Sequence, residues 1–140
     1  MVHALKEVRR VLAAAGELID LRPVADRWIV EVVSARGSEE AVRLTDLKEG
    51  LAYDAAANEA MAQGETAGWF RRGREEFFPL HYVWDSPKEM HSYVEEEWAD
   101  FTVVGEDVWQ KIRSTWGIAD ADARVRVRAK MLITRWSKVI

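Results

Sequence analysis

A chain of 140 residues without a single cysteine carries no disulfide framework and no thiolate metal site, and it is long enough for one domain, residues 1–140, to bury a core without a staple. Its 20 Lys and Arg against 24 Asp and Glu leave a formal charge of −4, which argues against a general nucleic-acid binder. No apolar run reaches membrane-spanning length, and Glu7, Arg9 and Arg10 stand where a signal peptide would be apolar, so a cytoplasmic chain is expected.

The first element is a helix. Val2, Leu5, Val8, Leu12 and Ala15 recur at helical spacing, with Lys6, Glu7, Arg9 and Arg10 on the other faces. Gly16 sits where a left-handed C-cap is needed. Leu18, Ile19 and Leu21 then predict a short buried strand that Pro23 ends. A hairpin follows: Trp28 to Ser34 and Ala41 to Leu47 are rich in β-branched residues, and the segment between them turns around Gly37. Trp28, Val30 and Val32 share one face, and Ile29, Glu31 and Val33 the other.

Glu49 to Gln63 predicts an alanine-rich helix with Leu51, Ala55, Ala56, Ala60 and Met61 as its stripe, closed by Gly64. Glu65 to Glu76 reads as a loop, or as a short helix from Ala67 to Arg74. A surface connection is its plainer reading and a mobile lid its functional one. Phe77 to Asp85 predicts a strand, with Phe78, Leu80, Tyr82 and Trp84 on one face and Pro79 favouring a sheet edge. Ser86, Pro87 and Glu89 form the clearest local signal, a capping box opening a helix whose stripe is Met90, Tyr93, Val94 and Trp98. Phe101 to Val104 predicts a short strand. A helix follows from Glu106, with Trp109, Ile112 and Trp116 on its apolar face and Gly117 at its end. From Arg124 onward, Val125, Val127, Ala129, Met131 and Ile133 alternate with Arg124, Arg126, Arg128 and Lys130. That is a strand with one apolar and one basic face.

Chemical motifs are scarce. There is no glycine-rich phosphate loop, no GxSxG elbow and no HExxH spacing among His3, His81 and His91, so no metal site is expected. The seven tryptophans suit either core packing or a binding surface. His81 reads either as a histidine hydrogen-bonded at a sheet edge or as a proton acceptor in a pocket rimmed by Tyr82 and Trp84. The basic row has three readings: pairing with acids such as Glu31, Asp46 or Glu95 to Glu97, an anion site, or contact with a nucleic-acid backbone, which the acidic balance disfavours.

The segment Leu5-Lys6-Glu7-Val8-Arg9-Arg10-Val11-Leu12, then Ala13-Ala14-Ala15-Gly16 and Glu17-Leu18-Ile19-Asp20-Leu21, resembles a landmark of the class I S-adenosylmethionine-dependent methyltransferases. There a helix ending in RVLKPGG precedes the fifth sheet strand, and here the Lys-Pro-Gly-Gly turn is replaced. The order after Trp84-Asp85-Ser86, a helix ending at Glu97-Trp98, a strand, a helix and a final antiparallel strand, is similar to their C-terminal half. The resemblance implies the second half of such an enzyme. The glycine-rich loop after the first strand and the acid ending the second strand, which hold the cofactor in that family, would lie upstream, so S-adenosylmethionine is expected only if that half is supplied. It also implies that the substrate pocket falls near Arg22 and the segment Trp69 to Trp84.

The expected fold is α+β: a mixed, mainly antiparallel sheet of about five or six strands with three or four helices. The strand Leu18 to Leu21 would leave an apolar edge to be covered by an internal pairing, a second copy or a separate N-terminal-half chain. The favoured function is a methyltransferase C-terminal-like module, inactive alone, that binds a partner, dimerises or takes up a small molecule. The alternative is a complete small enzyme with its pocket around Trp69, His81, Tyr82 and Trp84.

Overall fold

The computed structural model describes residues 1–100 and 102–140. In chain order it forms α1 (Val2–Val11), β1 (Glu17–Ser34), β2 (Gly37–Arg43), α2 (Lys48–Thr66), β3 (Phe70–Trp84), α3 (Pro87–Glu97), α4 (Glu106–Gly117) and β4 (Arg124–Lys138). The class is α+β, and among the described residues four strands form one antiparallel sheet in the order β2-β1-β4-β3. Five or six strands were expected. The count falls because the run ending at Leu21 and the run starting at Trp28 are one strand, β1. Of the strand expected at Phe101 to Val104, Phe101 lies outside the described residues and Thr102 to Val104 are irregular.

The chain divides into two compact units: Met1–Val24, Leu51–Phe78 and Met131–Ile140 form the first, and Ala25–Gly50 with Pro79–Lys130 form the second. In the first unit the core is Met61, Phe70 and Trp136, flanked by Leu5, Val8, Leu12, Leu18 and Trp69. Helix α1 stops at Val11, short of the expected Ala15, because Leu12 is already extended. The Lys138 ammonium donates to the Leu12 carbonyl at 2.5 Å, placing a cation at the negative end of the helix. The left-handed residue of this turn is Ala15 (φ 60°), not Gly16. Gly16 is required for a different reason: a Cβ there would lie 2.9 Å from the Ala13 carbonyl oxygen. Pro23 does not end the strand. The β1–β2 ladder covers only Ile29 to Ser34, so β2 does not flank Pro23 and its missing N–H costs no bond on that side.

Helix α2 runs through Gly64, which is buried, and its buried positions Ala60, Met61 and Gly64 lie at its C-terminal end. The expected stripe members Leu51, Ala55 and Ala56 are exposed. Strand β3 begins at Phe70, seven residues before the expected Phe77, so Phe70 to Glu76 is neither loop nor lid. Charge hid that strand: Arg71, Arg72, Arg74, Glu75 and Glu76 are exposed on it, as befits a protected sheet edge. The expected edge position of Pro79 agrees with β3 standing last in the sheet.

In the second unit, Ser34 opposes Gly37 across the two-residue turn Ala35-Arg36, so β2 starts four residues before the expected Ala41. Gly37 supplies the turn's φ of 135°. The acidic loop before β4 holds this turn: Asp122 accepts from the Ala35 N–H at 2.8 Å, and Asp120 from the Ser34 hydroxyl at 3.2 Å. Val30, Leu44, Met90, Val94, Trp98, Trp109, Ile112, Val125 and Val127 make the core, with α4 packed on β2 and α3. Trp116, expected on the buried face of α4, is exposed.

The capping box forms as a variant: the Ser86 hydroxyl accepts from the Glu89 N–H at 3.2 Å, and the Glu89 carboxylate accepts from the Asp85 N–H at 3.0 Å. Ser86→Ala is expected to cost about 1 kcal/mol, read as a lower urea midpoint with an unchanged slope. On β4 the buried phase changes. Val125, Val127 and Ala129 are buried in the second unit, and Leu132, Thr134 and Trp136 in the first, so Met131 and Ile133 leave the expected apolar row.

Candidate functional site

The residues singled out from sequence fall in both units. Arg22, in the first, lies half-buried on β1. Its guanidinium donates to Asp20 at 3.2 and 3.3 Å and to Asn58 on α2 at 2.5 Å. Trp69, also in the first, follows α2 and packs on the core of that unit, with the Lys6 ammonium 5.6 Å from its ring centroid. His81, Tyr82 and Trp84 belong to the second unit. His81 and Val83 are exposed while Tyr82 and Trp84 are half-buried, so the imidazole stands on the opposite face of β3 from the two rings.

Tyr82 and Trp84 join Trp28, Tyr93 and Trp98 in a cluster of five rings. Trp98 is its centre, with centroids 5.0 Å from Tyr82, 5.7 Å from Tyr93, 5.8 Å from Trp28 and 5.9 Å from Trp84, all near-perpendicular. These edge-to-face contacts suit the ring quadrupoles and make a packed core with a half-exposed rim.

The basic row of β4 is paired with acids. Both oxygens of the buried Glu31 carboxylate are engaged: Oε2 accepts from Arg126 at 2.7 and 2.9 Å, and Oε1 lies 3.3 Å from Arg128. Lys130 pairs with Asp26 at 2.7 Å and Arg124 with Asp85 at 3.1 Å. Asp46, one of the expected partners, instead accepts from the Arg27 N–H at 3.0 and 3.1 Å. That bond steadies Arg27, which carries a φ of 45° inside β1.

A cleft of about 380 Å³ opens in the second unit, lined by α3, the segment after it and Trp109 of α4. Its walls are apolar (Val94, Ala99, Val104 and Trp109), and its polar groups are His91, Glu95 and Thr102. The His91 Nε2 lies 3.1 Å from Glu95 one helical turn on, and its ring is tilted 45° against Trp109 with centroids 4.3 Å apart. The Thr102 hydroxyl is buried without a hydrogen-bond partner. This volume suits a small molecule with an apolar body. In the sequence His91 is marked only by its i,i+4 spacing to Glu95. Among the described residues, no three His, Asp or Glu side chains gather as a metal site, and no helix is long and apolar enough to cross a membrane.

What the geometry defines, then, is an α+β chain with an ion-paired sheet and an aromatic core. No family model, no curated protein and no solved structure matches it.

Proposed function

We propose that this chain is a methyltransferase C-terminal-like module that works by binding a partner and catalyses nothing alone. One observation carries the reading. The stretch Glu17 to Arg22 of β1, the same stretch that resembles the methyltransferase strand, lies beyond the reach of β2. On it Ile19 and Leu21 keep 51% and 56% of their surface exposed. A strand with an open side and apolar side chains is a template for pairing with another chain.

The residues present do not fit S-adenosylmethionine. Dinucleotide-like cofactors are held by the amides of a glycine-rich turn from strand to helix. Here the strand-to-helix connections are Leu44 to Leu47 and Asp85-Ser86, and neither holds a glycine. Titration of S-adenosylmethionine into the chain alone is expected to give no heat of binding in a calorimeter. A saturating isotherm in the micromolar range would overturn the proposal.

A further inference from the structure

We infer that the cleft of the second unit is a binding site for a small organic cation, a primary amine carried on a single-ring apolar body. It is separate from the β1 edge, because its lining residues all lie in the second unit.

Charge selects the ligand. The cleft opens at the C-terminal end of α3, and the negative end of a helix dipole favours a cation. In the first unit the chain supplies its own. Arg9 and Arg10 stand in the last turn of α1, and the Lys138 ammonium donates to the Leu12 carbonyl. Helix α3 has no base in its last turn and ends instead in Glu95, Glu96 and Glu97. Helices α2 and α4 also end without a base, but neither ends in a run of acids. Among the described lining residues Glu95 is the one carboxylate, and no lysine or arginine stands with it. An anion entering here would meet that carboxylate, the two glutamates that follow it and the helix dipole, all of one sign.

The walls select the shape. Val94, Ala99, Val104 and Trp109 offer an apolar surface around about 380 Å³, near the lower end of the roughly 300–1,000 Å³ of small-molecule pockets. That volume suits one ring and a short chain. The polar groups on these walls suit an ammonium. Glu95 Oε1 lies 3.1 Å from His91 Nε2, one turn earlier on α3, which holds the carboxylate on the side of the helix that lines the cleft. A carboxylate accepts at both oxygens, so the contact with His91 leaves it able to take a cation. The Thr102 hydroxyl, buried without a hydrogen-bond partner, is a second acceptor. An ammonium brings three donors and no acceptor, the complement of that pair.

The probe is 2-phenylethylamine, an ammonium at neutral pH, titrated into the full chain. The indole N–H resonance of Trp109, assigned with Trp109→Phe, follows it in a proton–nitrogen correlation spectrum. Saturation in the submillimolar range is expected for a ligand of this size. 2-Phenylethanol, which keeps the ring and loses the charge, is expected to bind about tenfold more weakly, and 3-phenylpropionate not to saturate. Glu95→Gln, at a side chain 69% exposed on which the fold does not depend, is expected to weaken the amine about tenfold. Glu96→Gln removes the same charge from the same turn but lies outside the cleft lining, and is expected to change the affinity by less than about twofold. No saturable shift with the amine, equal affinity for the amine and the alcohol, or equal losses in the two variants overturns the inference.

Discussion

Trp98→Ala is expected to cost about 3–5 kcal/mol, the largest loss of any single truncation in the second unit. The indole is 8% exposed and sits at the centre of four other rings. Its removal leaves a cavity that the rigid rings around it cannot fill, and it deletes edge-to-face contacts worth roughly 0.5–1.5 kcal/mol each beyond their area. A chain of this size has only about 5–15 kcal/mol of net stability, so the variant sits near its threshold. Urea unfolding followed by near-ultraviolet circular dichroism reads the loss. Trp116→Ala, at an exposed position of α4, is the control and shifts the midpoint far less. Equal shifts for the two would show that the ring cluster adds nothing to the core.

Glu31→Ala comes second, at about 2–3 kcal/mol. Removing one partner of a buried ion pair strands the other. The side chain of Glu31 is 6% exposed, while those of Arg126 and Arg128 retain 25% and 42%. Because both guanidiniums still reach water, the loss falls below that of a fully enclosed pair. Glu31→Gln keeps the shape and is expected to lose less. The double variant Glu31→Ala with Arg126→Ala is expected to be less destabilised than the sum of its parts, which a double-mutant cycle in urea measures directly. Additive losses would show that the two side chains do not interact. High salt screens exposed pairs and leaves much of this coupling in place.

Much of the fold was legible where neighbours in sequence decide the outcome. The capping box at Ser86 and the stripe Met90, Val94, Trp98 are satisfied within α3 and its flanks. The alternation from Arg124 to Lys130 is enforced by the pleat, and Glu31 was among the acids expected to answer it. Where sequence reasoning failed, a partner outside the local window decided. Pro23 reads as a stop because proline breaks a ladder, yet β2 does not extend along that part of β1. The charged run Arg71 to Glu76 reads as a loop because strands are expected to bury something, and it is a strand whose side chains stay exposed. The cleft beside His91 and the unpartnered Thr102 hydroxyl had no signature beyond an i,i+4 spacing.

The stretch Leu18 to Leu21 shows the division most plainly. Its apolar side chains and strand character were in the sequence, and so was the need for an edge to be covered. By itself the sequence determined the α+β class, the helix starts and the buried face of β4 as far as Ala129, because these follow from periodicity, capping and propensity over a few residues. Only the tertiary structure decided that β1 runs on through Pro23, that β4 takes one side of it, and that the other side lies beyond β2. Strand pairing is a contact between residues far apart in the chain, and no local pattern encodes which edge is left open.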